Sequence, residues 1–175
     1  MAKVSLTKLA LKLDTSVKEV HWNGETIEVL QYLPVKQKID LITNTINSST
    51  VEDVNYYNPI TLSVLEQLNL VFYYTNINFT DKQKEDLMGL FDKLSSSGLM
   101  QEVFAAIPED EIDTIHEYLE STVGAIYQYN QSALGILDSI SQDYSNLDFD
   151  VQGLYEKLAD KDNLSTVRDV LTKLG

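Results

Sequence analysis

The chain has 175 residues, 43% of them apolar, and a formal charge of −14 from 13 basic and 27 acidic side chains. That length and apolar share suit one domain with a real core, while the charge repels a nucleic acid backbone or an anionic membrane surface. The absence of cysteine excludes disulfides, thiolate metal sites, iron–sulfur clusters and cysteine nucleophiles together.

The opening MAKVSLTKLALKLDTS has no continuous apolar run, so neither a signal peptide nor a membrane span is expected and synthesis is placed in a cytoplasm. The sequons at Asn47, Asn78, Asn130 and Asn163 then carry no glycan. Val4, Leu6, Leu9, Leu11 and Leu13 stand among Lys and Thr with near alternation, which predicts a strand over 3–13. The stretch HWNGET follows, with Val20 and Trp22 before Asn23-Gly24 and Ile27 and Val29 after it. A two-residue type I′ turn there pairs Val20 with Ile27 and Trp22 with Glu25, leaving Glu19 opposite Glu28 on the other face, a repulsive pair that is tolerable only if exposed or met by a lysine such as Lys18. A hairpin of this size is only marginally stable alone. Strand 3–13 is therefore expected to join it in a small antiparallel sheet, with Val20, Trp22, Ile27 and Val29 against the helical body or a partner protein.

Pro34 suits the start of a helix over 34–48, with Ile39, Ile42 and Ile46 as its apolar stripe. SSTVEDVNYYNP reads as a loop. ITLSVLEQLNLVFYYT is apolar on most sides and suits a buried helix by its length, or a strand by its Val, Phe and Tyr; helix is the reading taken. Thr80 and Gln83 have the spacing of a capping box for a helix with Leu87, Leu90, Phe91 and Leu94 on one face, ending at Gly98. A short helix over 99–106 runs to the Ile107-Pro108 break. From Glu109 to about Ser141 apolar residues recur at spacings of three and four, predicting one long helix whose stripe is wide enough for a bundle face. Gly124 and Gly135 inside it imply close packing or a bend. The last thirty residues read as two short helices capped by Asp150 and Asn163. The fold class is thus mainly α (α+β): a β element over 1–33, then a helical body over 34–175 of about six helices, in a single domain.

No residue set announces a reaction. His21 and His116 stand alone, without the i+3 or i+4 partner of a metal pair. Asp148 to Gly153 resembles the start of a calcium loop, but Ala159 occupies the twelfth position, where a bidentate Glu is needed. Glu109, Asp110 and Glu111 complement the positive end of a helix dipole. Phosphate-cradling loops, nucleophile elbows and kinase signatures are missing. No catalytic residue, metal or cofactor is expected. Ten tyrosines and one Trp offer large contact area with a polar tip, which serves interfaces as well as cores; Trp22, Ile27, Tyr127 and Tyr129 are the candidate interface residues.

VSLTKLALKLDTSVKEVHWNGETIEVLQYLP, FTDKQKEDLMGLFDKLSSSG, AIPEDEID and the tail LDFDVQGLYEKLADKDNLSTVRDVLTKLG together make the chain similar to small proteins encoded among the virion and tail genes of tailed bacteriophages of low-GC Gram-positive bacteria. The resemblance implies a non-enzymatic tail assembly chaperone or minor virion component in the host cytoplasm or the particle. A chaperone of this kind binds the tape-measure protein and the tail tube subunit, is often made in two lengths by frameshifting, and needs no cofactor, nucleic acid or membrane. A head–tail connector component remains open, as does an acidic inhibitor of a host or defence enzyme; so does a homo-oligomer.

Overall fold

The computed structural model describes residues 3–51, 56–132 and 135–136. Among these residues it is mainly helical, with an N-terminal two-stranded antiparallel sheet followed by six helices. The chain divides into two compact units, Met1–Leu119 and Glu120–Gly175.

The hairpin forms in the register its sequence predicts. β1 (Val17–Trp22) pairs with β2 (Glu25–Leu30), Val20 lying opposite Ile27, Trp22 opposite Glu25 and Glu19 opposite Glu28. Asn23 and Gly24 both take positive φ, 50° and 87°, as the mirror-image turn requires. Lys18 does not sit over the two glutamates; its ammonium donates to the Ala105 carbonyl at 3.1 Å. The outer edge of β2 is closed by the end of a later helix: Asn76 donates its amide to the Glu28 carbonyl (3.2 Å) and accepts from the Glu28 amide at Oδ1 (3.1 Å), beside a bridge from Val29 to Thr75.

The expected strand over 3–13 is absent. Leu6–Leu9 form a 3₁₀ turn, Ala10 is left-handed at φ 47°, and the five apolar side chains from Val4 to Leu13 are 53–71% exposed. The reason lies in their parity. Val4 and Leu6 fall on even positions and Leu9, Leu11 and Leu13 on odd ones, so an unbroken strand would turn the two sets to opposite faces. The 3₁₀ turn sits at this slip.

α1 (Val35–Ser49) starts after Pro34, whose carbonyl accepts the Lys38 amide. Its buried face is Lys38, Leu41, Ile42, Thr45 and Ile46, so Ile39, expected on the stripe, is 58% exposed instead. Leu41 displaces it because the stripe runs through 38, 41, 42, 45 and 46, a spacing that puts 39 on the outer side. Where a loop was expected, β3 (Thr50–Val51) and β4 (Tyr56–Tyr57) make a two-residue ladder, formed by β-branched and aromatic residues suited to extended backbone. α2 (Pro59–Tyr74) resolves the helix-or-strand question: Asn58 accepts the Ile60 and Thr61 amides and Pro59 occupies the first turn. Leu65, Leu68, Val71 and Tyr74 then face inward against α1.

The predicted capping box is present, Thr80 and Gln83 each bonding the other's backbone, but it closes only a one-turn helix, α3 (Asp81–Lys84). A second cap interrupts the run. Asp86 accepts the Gly89 amide at 2.9 Å and starts α4 (Leu87–Ser97), because an aspartate can bond the backbone ahead of it more cheaply than it can continue a helix. Gly98, at φ 86°, ends α4 and leads into α5 (Leu99–Phe104).

α6 (Glu109–Asn130) is the long helix. Its unbroken α-helical span ends at Asn130, with a turn at residues 131–132 before helical backbone again at 135–136; at the turn Ser132 donates to the Tyr129 carbonyl and accepts the Gly135 amide, a local alternative to the helical ladder. Residues 133–134 and 137–141, the calcium-like stretch and the two tail helices lie outside the described residues. The glycines divide: a Cβ at Gly124 meets nothing within 4 Å, whereas one at Gly135 collides with the Tyr129 carbonyl oxygen. Gly124→Ala is expected to raise stability by about 0.5–1 kcal/mol and Gly135→Ala to lower it, both read from thermal unfolding.

Candidate functional site

The most concentrated polar chemistry among the described residues is a buried cluster at the start of α6. Pro108 fixes the entry, its carbonyl accepting the Glu111 amide, and of the three acids in the first turn only Glu111 points inward, at 7% exposure. Its Oε1 accepts from Lys38 Nζ at 2.7 Å; its Oε2 accepts from the Leu33 amide at 3.0 Å and the Tyr74 hydroxyl at 2.8 Å. Lys38 and Tyr74 are themselves buried, and the lysine ammonium also lies 4.8 Å from the centre of the Tyr32 ring. One carboxylate thereby joins the linker after the hairpin, the first turn of α1, the last residue of α2 and the first turn of α6.

Burial alone pushes the Glu111 carboxyl upward, but the hydrogen bonds from Lys38, Leu33 and Tyr74, with the lysine charge, outweigh it and hold the group below the ordinary glutamate range. Burial first, then the hydrogen bond to Glu111 and its negative charge, drive the Tyr74 phenol well above its ordinary value. An anion held ionised and a phenol held protonated are poor proton carriers near neutrality. The cluster ties four stretches of the chain together through one carboxylate.

A second pair lies along the same helix. His116 Nδ1 stands 3.0 Å from Oε1 of Glu66, with the glutamate buried and the imidazole about half exposed. Below α1 and α2 a groove of about 480 Å³ is lined by Asn44, Leu65, Phe72, Tyr73, Phe79 and Leu87 among others. Asn44 donates to the Tyr73 hydroxyl at 2.6 Å, and the Phe72 and Phe79 rings meet edge to face at 4.7 Å. Its amides and rings suit recognition more than bond-making. Among the described residues no three His, Asp or Glu side chains converge to hold a metal, and no helix is long and apolar enough to cross a membrane.

The four candidate interface residues are not brought together. Ile27 is buried in the core of its own chain, and Trp22 is half-buried with its ring beside Gly98 at the α4–α5 junction. Tyr127 and Tyr129 are 61% and 48% exposed on α6. His21 sits on the exposed face of the hairpin, its Nδ1 3.2 Å from the Thr26 hydroxyl. Sequence reasoning did not single out Lys38, Glu66, Tyr74 or the special place of Glu111. One signal was available: Lys38 falls on the buried stripe of α1, where a lysine needs a buried counter-charge.

Comparison with family models, with curated proteins and with solved structures finds no match to this chain.

Glu111→Gln leaves the Lys38 charge buried without its partner and is expected to cost about 3–5 kcal/mol. In the native protein the Glu111 contribution is fully present above the ordinary glutamate value and is lost as pH falls through the lower folded value; the variant's stability should therefore vary less between pH 5 and pH 2, as chemical denaturation reads directly. At the alkaline end the folded state holds the Tyr74 proton more tightly than the unfolded chain. Stability should fall as pH rises beyond about 10, and Tyr74→Phe should flatten that decline. Trp22→Ala should cost roughly 1–3 kcal/mol, below the loss for a fully buried Trp; an unchanged melting temperature would show that the contact with Gly98 contributes nothing.

Proposed function

We propose that the chain is a non-enzymatic bacteriophage protein that works in virion or tail assembly by binding other proteins, as a tail assembly chaperone or minor virion component in the host cytoplasm. The observation that carries this reading is the exposure of Tyr127 and Tyr129 on α6. Two large amphipathic rings held on a helix lose few rotamers on binding, which makes them effective anchors for a protein partner. The polar clusters give independent support, since the most buried one is locked by hydrogen bonds into a supporting role. Together with the similarity to phage tail proteins, this favours the tape-measure protein or the tail tube subunit as partner.

Co-expression of the full chain with the tape-measure and tail tube proteins of the same genome tests the reading. One of the two should co-purify, and Tyr127→Ala with Tyr129→Ala should weaken capture about tenfold or more while changing folding stability by less than about 1 kcal/mol. Capture of neither protein, or a gene well away from capsid, tail-tube and tape-measure genes, would sink it.

A further inference from the structure

The first thirteen residues differ in charge from everything after them. Lys3, Lys8 and Lys12 are their only charged side chains, which leaves 10 basic and 27 acidic residues, a formal −17, for the remaining 162. The same segment exposes Leu9, Leu11 and Leu13 on one parity and Lys8 and Lys12 on the other. That is the pattern of a half-buried strand that has no sheet.

A sheet edge of matching character lies on the same chain. In the hairpin Glu19 faces Glu28, and the Glu28 amide and carbonyl point away from β1 to meet Asn76. The backbone groups of Glu19, directly opposite, therefore point outward from β1, as do those of Val17 and His21 two residues away on either side. Among the described residues no hydrogen bond reaches these groups, so the edge is open for pairing. A strand added there meets two unlike faces. One carries Val20 and Trp22, against which Leu9, Leu11 and Leu13 fit. The other carries the repelling Glu19 and Glu28 pair, which Lys8 and Lys12 neutralise.

We infer that residues 8–13 of one copy, extended at Leu9 and Ala10 where the single chain is turned, add as a third strand along β1 of a second copy, reciprocally, so that two copies close into a dimer through exchanged arms. Donor strand and acceptor edge belong to one sequence, so a single two-fold exchange satisfies both arms and both edges and leaves neither for further growth. Within one chain the structure turns the arm aside, through the left-handed Ala10 and through Asp14, whose carboxylate accepts the Ser16 amide at 2.8 Å. The inference concerns how copies of the chain meet one another, and it stands independently of the phage reading.

Sedimentation equilibrium on the full chain, with co-capture of two differently tagged copies, tests it. The wild type should be dimeric at about 100 µM. Lys8→Glu with Lys12→Glu, both exposed and outside the core, should weaken association about tenfold or more. Adding Glu19→Lys and Glu28→Lys to that variant should restore it, whereas Glu85→Lys with Glu117→Lys, both exposed and returning the net charge to the same value, should not. A monomeric wild type overturns the inference, as does a dimer indifferent to the lysine reversals. So does hydrogen-exchange protection of residues 8–13 in a monomer, which would mean pairing within one chain. Capture by phosphatidylserine vesicles without dimerisation would assign the arm to a lipid surface and overturn it equally.

Discussion

A carboxylate taken out of water has to be matched at both of its oxygens, and the arrangement around Glu111 meets that demand from three separate parts of the chain. Lys38 supplies charge, Leu33 an amide and Tyr74 a hydroxyl. Each donor sits where the backbone changes course. Leu33 precedes the proline that opens α1, Lys38 is in the first turn of α1, and Tyr74 is the last residue of α2. The apolar face of α1 against α2 provides the bulk of the driving force but little directional information, because one Leu or Ile packs nearly as well as another. The ionic cluster adds the directional part, since only one placement of the start of α6 satisfies all three donors.

The hairpin is tied to the body by the same kind of interaction at lower density. Asn76 closes one edge, the Gln31 side-chain amide reaches the Ala106 carbonyl at 3.0 Å, and Lys18 reaches that of Ala105. Val20, Ile27 and Val29 are buried beneath it, and Trp22 rests on the α4–α5 turn. What remains outside is the segment before Asp14 and the edge of β1, so uncommitted backbone and a run of five exposed apolar side chains occur in neighbouring stretches of one chain.

Signals that act over a few residues were legible in the sequence. Asn23-Gly24 gives the hairpin and its register, the Thr80–Gln83 box forms, and Gly98 terminates α4, because each depends on local hydrogen bonding and on the sterics of one or two residues. Errors arose where two local rules competed. The alternation in 3–13 hides a change of parity, Asp86 starts a helix where the apolar stripe suggests continuity, and Ser132 closes a turn inside a heptad pattern that runs past it. The candidate site was less legible still. Ion pairing of Lys38 with Glu111 spans 73 residues and that of His116 with Glu66 spans 50, and no periodicity joins positions so far apart. Ten tyrosines are visible in the composition, but which of them are exposed, as Tyr127 and Tyr129 are, and which buried, as Tyr74 is, is decided by tertiary packing.

The distance along the chain between Lys38 and Glu111 also has a consequence for biosynthesis. The ribosome adds ~5–20 residues per second, so the lysine is made roughly 4–15 s before Glu111, the carboxylate that pairs with it among the described residues. Through that interval α1 and α2 hold complementary apolar faces, while a cationic side chain between them keeps a claim on water. Until α6 emerges, the first turn of α1 cannot bury that ammonium against its carboxylate. Completion of the core is thus timed by the appearance of one residue late in translation, well after the helices it joins.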